Sequence, residues 1–220
     1  MTRKNKLPEF PNSYLGEKSY EYENSKWMER NQKKTTLLCL EYLFNEKLDN
    51  LGKKDVLDKK PYLVLDLGCG TGFSSEILIT SGLKVIGVDI LFDMLIKAKS
   101  KIPHLEKGSN LYLILADMNY LPVRSNSINH IISISAYNFI LHGKKDSKDR
   151  IKTVNNTAKS LKRILKSNGR IIIEFYPRNE EELNLFRSSF TNNGFNGFMI
   201  KQNPKQKKGQ TYLLLKRMVI

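Results

Sequence analysis

One stretch, Leu63-Val64-Leu65-Asp66-Leu67-Gly68-Cys69-Gly70-Thr71-Gly72-Phe73, constrains the fold more than any other part of the chain. An apolar run broken by one acid leads into glycines at three alternate positions, and a helix starts near Phe73. The first part reads as a strand, and glycines in the connecting turn let backbone approach a ligand with no Cβ in between. Open α/β sheets bind ligands at the carboxyl ends of their strands, where such turns lie. The helix behind the turn offers unpaired N–H groups and the positive end of its dipole to an anion, either a pyrophosphate or a carboxylate. Spacing separates these two: dinucleotide folds use G-x-G-x-x-G, whereas this turn is Gly68-x-Gly70-x-Gly72 with Asp66 two residues ahead.

The pattern along the chain supports an α/β fold. From Ser13 to Asn50 apolar residues recur at helical spacing, which predicts two N-terminal helices. There follow a strand at 62–67, a helix from about 72, a strand at 84–89, a helix at 91–100, and strands at 111–115 and 128–134. A helix at about 149–166, a strand at 170–176 and a helix at 179–192 complete the alternation, which means a parallel sheet with helices on both faces. Phe195–Lys201 and Thr211–Lys216 are joined by a basic stretch and read as an antiparallel hairpin closing the sheet. The 220 residues fit a single domain, with residues 1–55 as a helical lid and 61–220 as the core.

Composition excludes several classes. Cys39 and Cys69 fall on different elements, and His104, His130 and His142 show no ligand spacing, so neither a disulfide scaffold nor a metal site is expected. The opening MTRKNKLPEF lacks the apolar core of a signal peptide, and no window approaches the about 18 apolar residues of a membrane span. The expectation is a reduced cytoplasmic protein, nuclear or nucleolar if its source is a eukaryote, with no membrane partner. With 37 Lys+Arg against 22 Asp+Glu the net charge is +15, which suits a polyanionic partner, although solvated lysines alone give the same count.

The turn resembles the first motif of class I S-adenosylmethionine-dependent methyltransferases, D/E-x-G-x-G-x-G, in full. The resemblance implies a Rossmann-like fold: a seven-stranded, mostly parallel sheet with the C-terminal hairpin and the two N-terminal helices. It implies S-adenosylmethionine as cofactor, with Asp66, Gly68, Gly70 and Gly72 at the turn. Asp89, 23 residues after Asp66, would meet the ribose hydroxyls; Asp117 would accept from the adenine amine, and Met118 would line the ring. Ile90 and Ser133 complete that set. Tyr14, Tyr20, Tyr22 and Trp27 are candidates for a lid over the cofactor, Tyr22 foremost, or for ordinary helix packing. Cys69 lies inside the turn, facing backbone, and is not read as a nucleophile.

The acceptor motif after the fourth strand reads Ser133-Ile134-Ser135-Ala136-Tyr137-Asn138-Phe139. It lacks the N/D-P-P-F/Y of amino-group methyltransferases, and no cysteine stands where a pyrimidine C5 enzyme needs one. Over its length the chain resembles the small-subunit ribosomal RNA guanine-N7 methyltransferases of eukaryotes and their archaeal relatives. The likeness rests on the Pro8-Glu9 start with its Tyr-rich helix and Leu38-Cys39-Leu40, on Ser133-Ile134-Ser135-Ala136, on Phe175-Tyr176-Pro177, and on the hairpin loop Asn203-Pro204 through Lys208. Tyr137-Asn138-Phe139 departs from the family's V-Q-W but keeps an amide followed by an aromatic. The chain stops at Ile220 where eukaryotic members run on into a basic tail, as a short archaeal-type member would.

Guanine N7 is a lone-pair nucleophile with no proton to lose, so positioning rather than a general base is expected to carry catalysis. Asn138 is the candidate for reading the base edge, and Phe139, Tyr137 or Tyr176 for stacking a flipped base. Lys205, Lys207 and Lys208 are candidates for phosphate contacts. The resemblance also implies a small zinc-binding activator subunit, adding a strand to the edge strand 111–115. A transfer RNA wobble-uridine methyltransferase, a small-molecule methyltransferase and an RNA-binding assembly factor with incidental catalysis remain as alternatives.

Overall fold

The computed structural model describes residues 9–49, 61–106, 110–202 and 210–218. The elements are α1 (Glu17–Glu23), α2 (Lys26–Leu43), α3 (Glu46–Asp49), β1 (Leu63–Leu67), α4 (Phe73–Thr80), β2 (Lys84–Asp89), α5 (Phe92–Lys101) and β3 (Leu111–Leu115). After them come β4 (Ile128–Ile134), α6 (Ser147–Ile164), β5 (Leu165–Phe175), α7 (Glu180–Asn192), β6 (Phe195–Lys201) and β7 (Thr211–Arg217). Short 3-10 turns at Asn12–Tyr14, Ile102–His104 and Tyr137–Leu141 are interleaved.

The seven strands form one sheet in the order β3-β2-β1-β4-β5-β7-β6. The first five are parallel, and the hairpin β6–β7 joins antiparallel through β7 and β5. The expected fold is therefore present, and the third strand lies at an edge as the resemblance implied. Order in the chain reverses between β1 and β4, so the carboxyl ends of β1, β2 and β4 surround a crevice.

Continuous apolar runs account for the centre of the sheet: every residue of β4 is buried, as sheet strands covered on both faces require. On one face Val64, Ile132, Ile172 and Leu214 pack with Cys39 and Leu43 of α2 and Leu78 and Ile79 of α4. On the other Leu65, Ile131, Ile171 and Ile173 pack with Ala158 and Leu161 of α6 and Phe186 and Phe190 of α7. The strand expected at 170–176 starts five residues earlier, at Leu165, because the pairing of β4 with β5 shifts between Ile128 and His130 and takes up the polar segment Lys166-Ser167-Asn168-Gly169. Such a bulge has no apolar period to announce it.

Three contacts fix the direction of α2 across the sheet. The Arg170 guanidinium, midway along β5, donates to the Leu43 carbonyl at 2.8 Å. Gln210 Nε2, which also donates to Glu174 near the carboxyl end of β5, reaches Thr35 Oγ1 at 3.2 Å. Lys33 Nζ lies 2.9 Å from Glu76 in the first turn of α4. The helix therefore runs antiparallel to β5, and its first turns stand at the ligand end of the sheet.

Candidate functional site

All three glycines of the turn after β1 adopt left-handed backbone, with φ of 79° at Gly68, 53° at Gly70 and 86° at Gly72. A Cβ on Gly68 would stand 2.3 Å from Cβ of Ala136, so the glycine turn and the acceptor turn touch at a point where only hydrogen fits. The turn is held by its neighbours on β2. Gly68 N and Cys69 N both donate to the Val88 carbonyl, at 2.8 and 3.0 Å. Asp89 accepts from Gly70 N through Oδ2 at 2.8 Å and from Leu91 N through Oδ1 at 2.9 Å. Burial raises the pKa of Asp89, and those amide donors pull it back.

Asp66 has a different task from Asp89. It is buried, and its Oδ2 accepts from both Ser74 Oγ and Ser75 Oγ at 2.6 Å, clamping the first turn of α4. Its Oδ1 is buried with no hydrogen-bond partner, as is Thr71 Oγ1 in the turn itself. Burial pushes Asp66 up to about 6 against the two serine donors, with a further rise from the Asp89 charge. Cys69 is also buried and its thiol pushed well up, which keeps it protonated and agrees with its exclusion as a nucleophile.

A cavity of about 380 Å³ opens beside the turn, and Gly68, Asp89, Ile90, Asp117, Met118 and Phe139 are among the residues lining it. Of the sequence-expected cofactor residues, these first five are thus brought to one place. Asp117 Oδ1 accepts from the backbone and side-chain nitrogens of Asn119 at 2.8 and 2.9 Å, which fixes the loop, and Asn119 Oδ1 in turn accepts from Thr157 of α6 at 2.6 Å. Ile90 is half-exposed and offers an apolar wall. Two carboxylates at or just past strand ends, in a cavity that also carries the apolar Ile90 and Met118, can hold a ribose and an amine-bearing heterocycle.

Other expected residues stand elsewhere. Ser133 is fully buried and donates to the Leu67 carbonyl at 2.7 Å, so it ties β4 to β1 instead of meeting a cofactor. Tyr137 is fully buried among Phe186 and Phe190 at 5.4 and 5.7 Å between ring centres, and cannot stack a base from there. Asn138 spends both ends of its amide on the backbone of Tyr176: Nδ2 donates to the carbonyl at 2.9 Å and Oδ1 accepts from the N–H at 3.0 Å. It splints the acceptor turn to the end of β5, and reading a base edge would require that pair to open. Phe139 keeps its expected position at the cavity. Lys205, Lys207, Lys208 and Pro8 lie outside the described residues.

The N-terminal segment covers the site with rings. Phe10 stacks on Phe139 at 4.6 Å and 19°, Tyr14 meets Phe139 edge-on at 6.0 Å, and Tyr22 lies 5.6 Å from Tyr14 and 6.2 Å from Phe73 at the start of α4. Burial raises both phenols, and the Asp89 carboxylate adds to each. Tyr22 thus belongs to the cover, as expected, while Tyr20 and Trp27 are exposed on the outside. Sequence reading missed Phe10, which no periodicity marks. It also missed Glu174, buried at the end of β5 and accepting from Ser135 Oγ at 2.6 Å; a single acid inside Ile171-Ile172-Ile173-Glu174-Phe175 was the available signal.

The raised pKa of Asp66 has a definite sign in stability. Its folded pKa of about 6 exceeds the ordinary 3.8, so the folded state holds more protons in that interval and stability from this group falls as pH rises through it. The full interval corresponds to about 3 kcal/mol. Without cofactor, the unfolding free energy of the native chain relative to Asp66→Asn should drop by about that amount between pH 4 and pH 7. Denaturant titrations at several pH values measure it, and a pH-independent difference would place the titration elsewhere.

Comparison with known proteins agrees with this geometry. A family model described as "Methyltransferase domain" matches residues 58–216. The chain is 32% identical over 160 residues to the 18S rRNA (guanine-N(7))-methyltransferase of Bos taurus, covering 72% of this chain and 55% of that protein. It is 31% identical over 200 residues to the 18S rRNA (guanine(1575)-N(7))-methyltransferase of Saccharomyces cerevisiae, covering 88% of this chain and 64% of the relative. The chain thus spans between half and two thirds of the length of these two curated relatives. Among solved structures, the geranyl diphosphate C-methyltransferase of Streptomyces coelicolor, crystallised with S-adenosyl-L-homocysteine, shares the fold with a TM-score of 0.62 at 12% identity, over 89% of this chain and 85% of that one. With a matching model over most of its length and the glycine turn formed as described, the chain belongs to the methyltransferase-domain family.

Proposed function

We propose that this protein transfers a methyl group from S-adenosylmethionine to N7 of a guanine in small-subunit ribosomal RNA. The observation that carries the choice of acceptor is the activity in the names of its relatives, guanine-N7 methylation of 18S rRNA. The cofactor reading is supported by the site: a glycine cradle that a Cβ would fill, and carboxylates of Asp89 and Asp117 in one cavity. The cofactor supplies the electrophilic methyl. Asp89 would accept from the ribose hydroxyls while keeping its bonds to Gly70 and Leu91, and Asp117 would accept from the adenine amine.

The acceptor side has to position a planar base, since N7 loses no proton on methylation. Phe139 is the stacking surface at the cavity, and Phe10 now lies on it; an entering base would take that ring's place. Asn138 serves the base indirectly, by holding the turn that carries Phe139. Mapping methylated guanines in small-subunit RNA from cells with and without the gene tests the reading. One N7-methylguanine should disappear without the gene, and an unchanged RNA would defeat the proposal.

The partner reading concerns β3. It pairs with β2 on one side, and along its five apolar residues Tyr112 and Leu115 are each more than half exposed. An apolar edge strand of this kind invites another strand. We propose that a small zinc-binding activator subunit covers it by strand addition, where main-chain bonds give affinity and alternate side chains give fit. Expressed alone, the chain should be poorly soluble, and co-expression with the activator should rescue it. Leu113→Pro should block rescue by removing a ladder donor. A monodisperse single chain that methylates RNA as fast as the mixture would remove the partner from the account.

A further inference from the structure

The outer face of α2 carries a stripe that neither the fold nor the cofactor site uses. Trp27, Arg30, Lys34 and Leu37 follow one another at helical spacings of three and four, and all are exposed, Trp27 at 61%. Lys26 is exposed beside them. The neighbouring Lys33 is occupied by Glu29 and Glu76, at 2.7 and 2.9 Å. Among the described residues, by contrast, Lys26, Arg30 and Lys34 form no ion pair. Trp27 is the only tryptophan of the chain, and its indole lies on solvent where packing does not require it.

Position gives the stripe its meaning. Leu43 is tied to the middle of β5 through Arg170 and Thr35 lies near its carboxyl end, while Lys33 meets the first turn of α4. The turns before Thr35, carrying Trp27, Arg30 and Lys34, therefore stand at the rim where Tyr22 covers the start of α4. A flat ring with unpaired cations one and two turns further along is the pattern that stacks a base and neutralises the phosphates beside it.

We infer that the Trp27–Lys34 face of α2 is a platform for single-stranded RNA flanking the mouth of the methyl-transfer site. This rests on the reading of the protein as an RNA methyltransferase and adds the surface that holds the strand next to the reacting guanine. Single-stranded RNA is favoured over an acidic protein because the stripe pairs its charge with an exposed aromatic and the whole chain carries +15.

Trp27 reports on its own surface. Titrating the full chain with a short oligouridylate should quench its intrinsic fluorescence. Trp27→Ala should weaken binding of the same oligomer roughly 5- to 150-fold, the range of one lost base stack, and Trp27→Phe should restore most of it. Arg30→Gln combined with Lys34→Gln should lower the slope of log affinity against log salt by about 1.4. All substituted residues are exposed, so unchanged melting temperatures are expected alongside. If the oligomer binds with no change in Trp27 emission and no effect of Trp27→Ala, the platform is wrong even where ribosomal RNA is methylated. If emission and affinity respond as described while no guanine is methylated, the platform stands and the acceptor assignment falls. Emission that changes only with a protein partner, and never with RNA, would make this face a protein interface and overturn the inference.

Discussion

The bond from Gly70 N to the Asp89 carboxylate is the contact on which the site depends. A turn with three left-handed residues has little hydrogen bonding of its own beyond Gly72 N to the Cys69 carbonyl at 2.9 Å, and glycine lowers the conformational cost without choosing among the conformations left open. Asp89 makes that choice from the neighbouring strand, together with the Val88 carbonyl, which takes two further N–H groups. Parallel register then matters: Asp66 pairs with Gly87 and Leu67 with Val88, which sets the turn against the end of β2. Gly87 is part of the same fit, because a Cβ there would stand 2.9 Å from the Cys69 sulfur.

The Asp89 charge raises the cost of ionising the buried Asp66 beside it, and the fold separates the tasks of these two acids. Asp66 has one oxygen on two serine hydroxyls and one with no partner, behind the turn. Asp89 lines the cavity and is held by two amides, which leaves lone pairs for a ligand. A clamp behind and an acceptor in front make a rigid wall, which favours a preorganised cofactor site. The N-terminal rings close over that wall, and the acceptor turn is fixed from the other side by Asn138 on Tyr176 and Glu174 on Ser135.

Much of this arrangement is legible in the amino-acid sequence. Glycines at alternate positions after an apolar strand specify a turn whose conformation few other sequences can adopt, so Gly68, Gly70 and Gly72 point to both fold and cofactor. The resemblance adds Asp89, Asp117 and Met118, and all three line the cavity. Ser133, Tyr137 and Asn138 go astray for a common reason. A motif places residues along the chain, whereas the direction each side chain takes depends on neighbours far away in sequence: β1 for Ser133 within β4, and α7 and β5 for Tyr137 and Asn138 in the 3-10 turn. Phe10 and the stripe on α2 are hidden in the same way: periodicity marks Trp27 as one more apolar helix residue, and only burial shows that it faces out.

Calorimetry of S-adenosylmethionine binding to Asp89→Asn, set beside a 2′-deoxyribose analogue of the cofactor, tests the central claim most directly. The side-chain oxygen of asparagine can still accept from Gly70 N, so the turn keeps that clamp, while the charged acceptor and the bond from Leu91 N are lost. The account predicts that the variant loses about 1–3 kcal/mol of affinity for the cofactor and much less for the analogue, which lacks one of the hydroxyls that the carboxylate would hold. Equal losses for both ligands, or an unchanged affinity for the cofactor in a folded variant, would contradict Asp89 as the ribose acceptor.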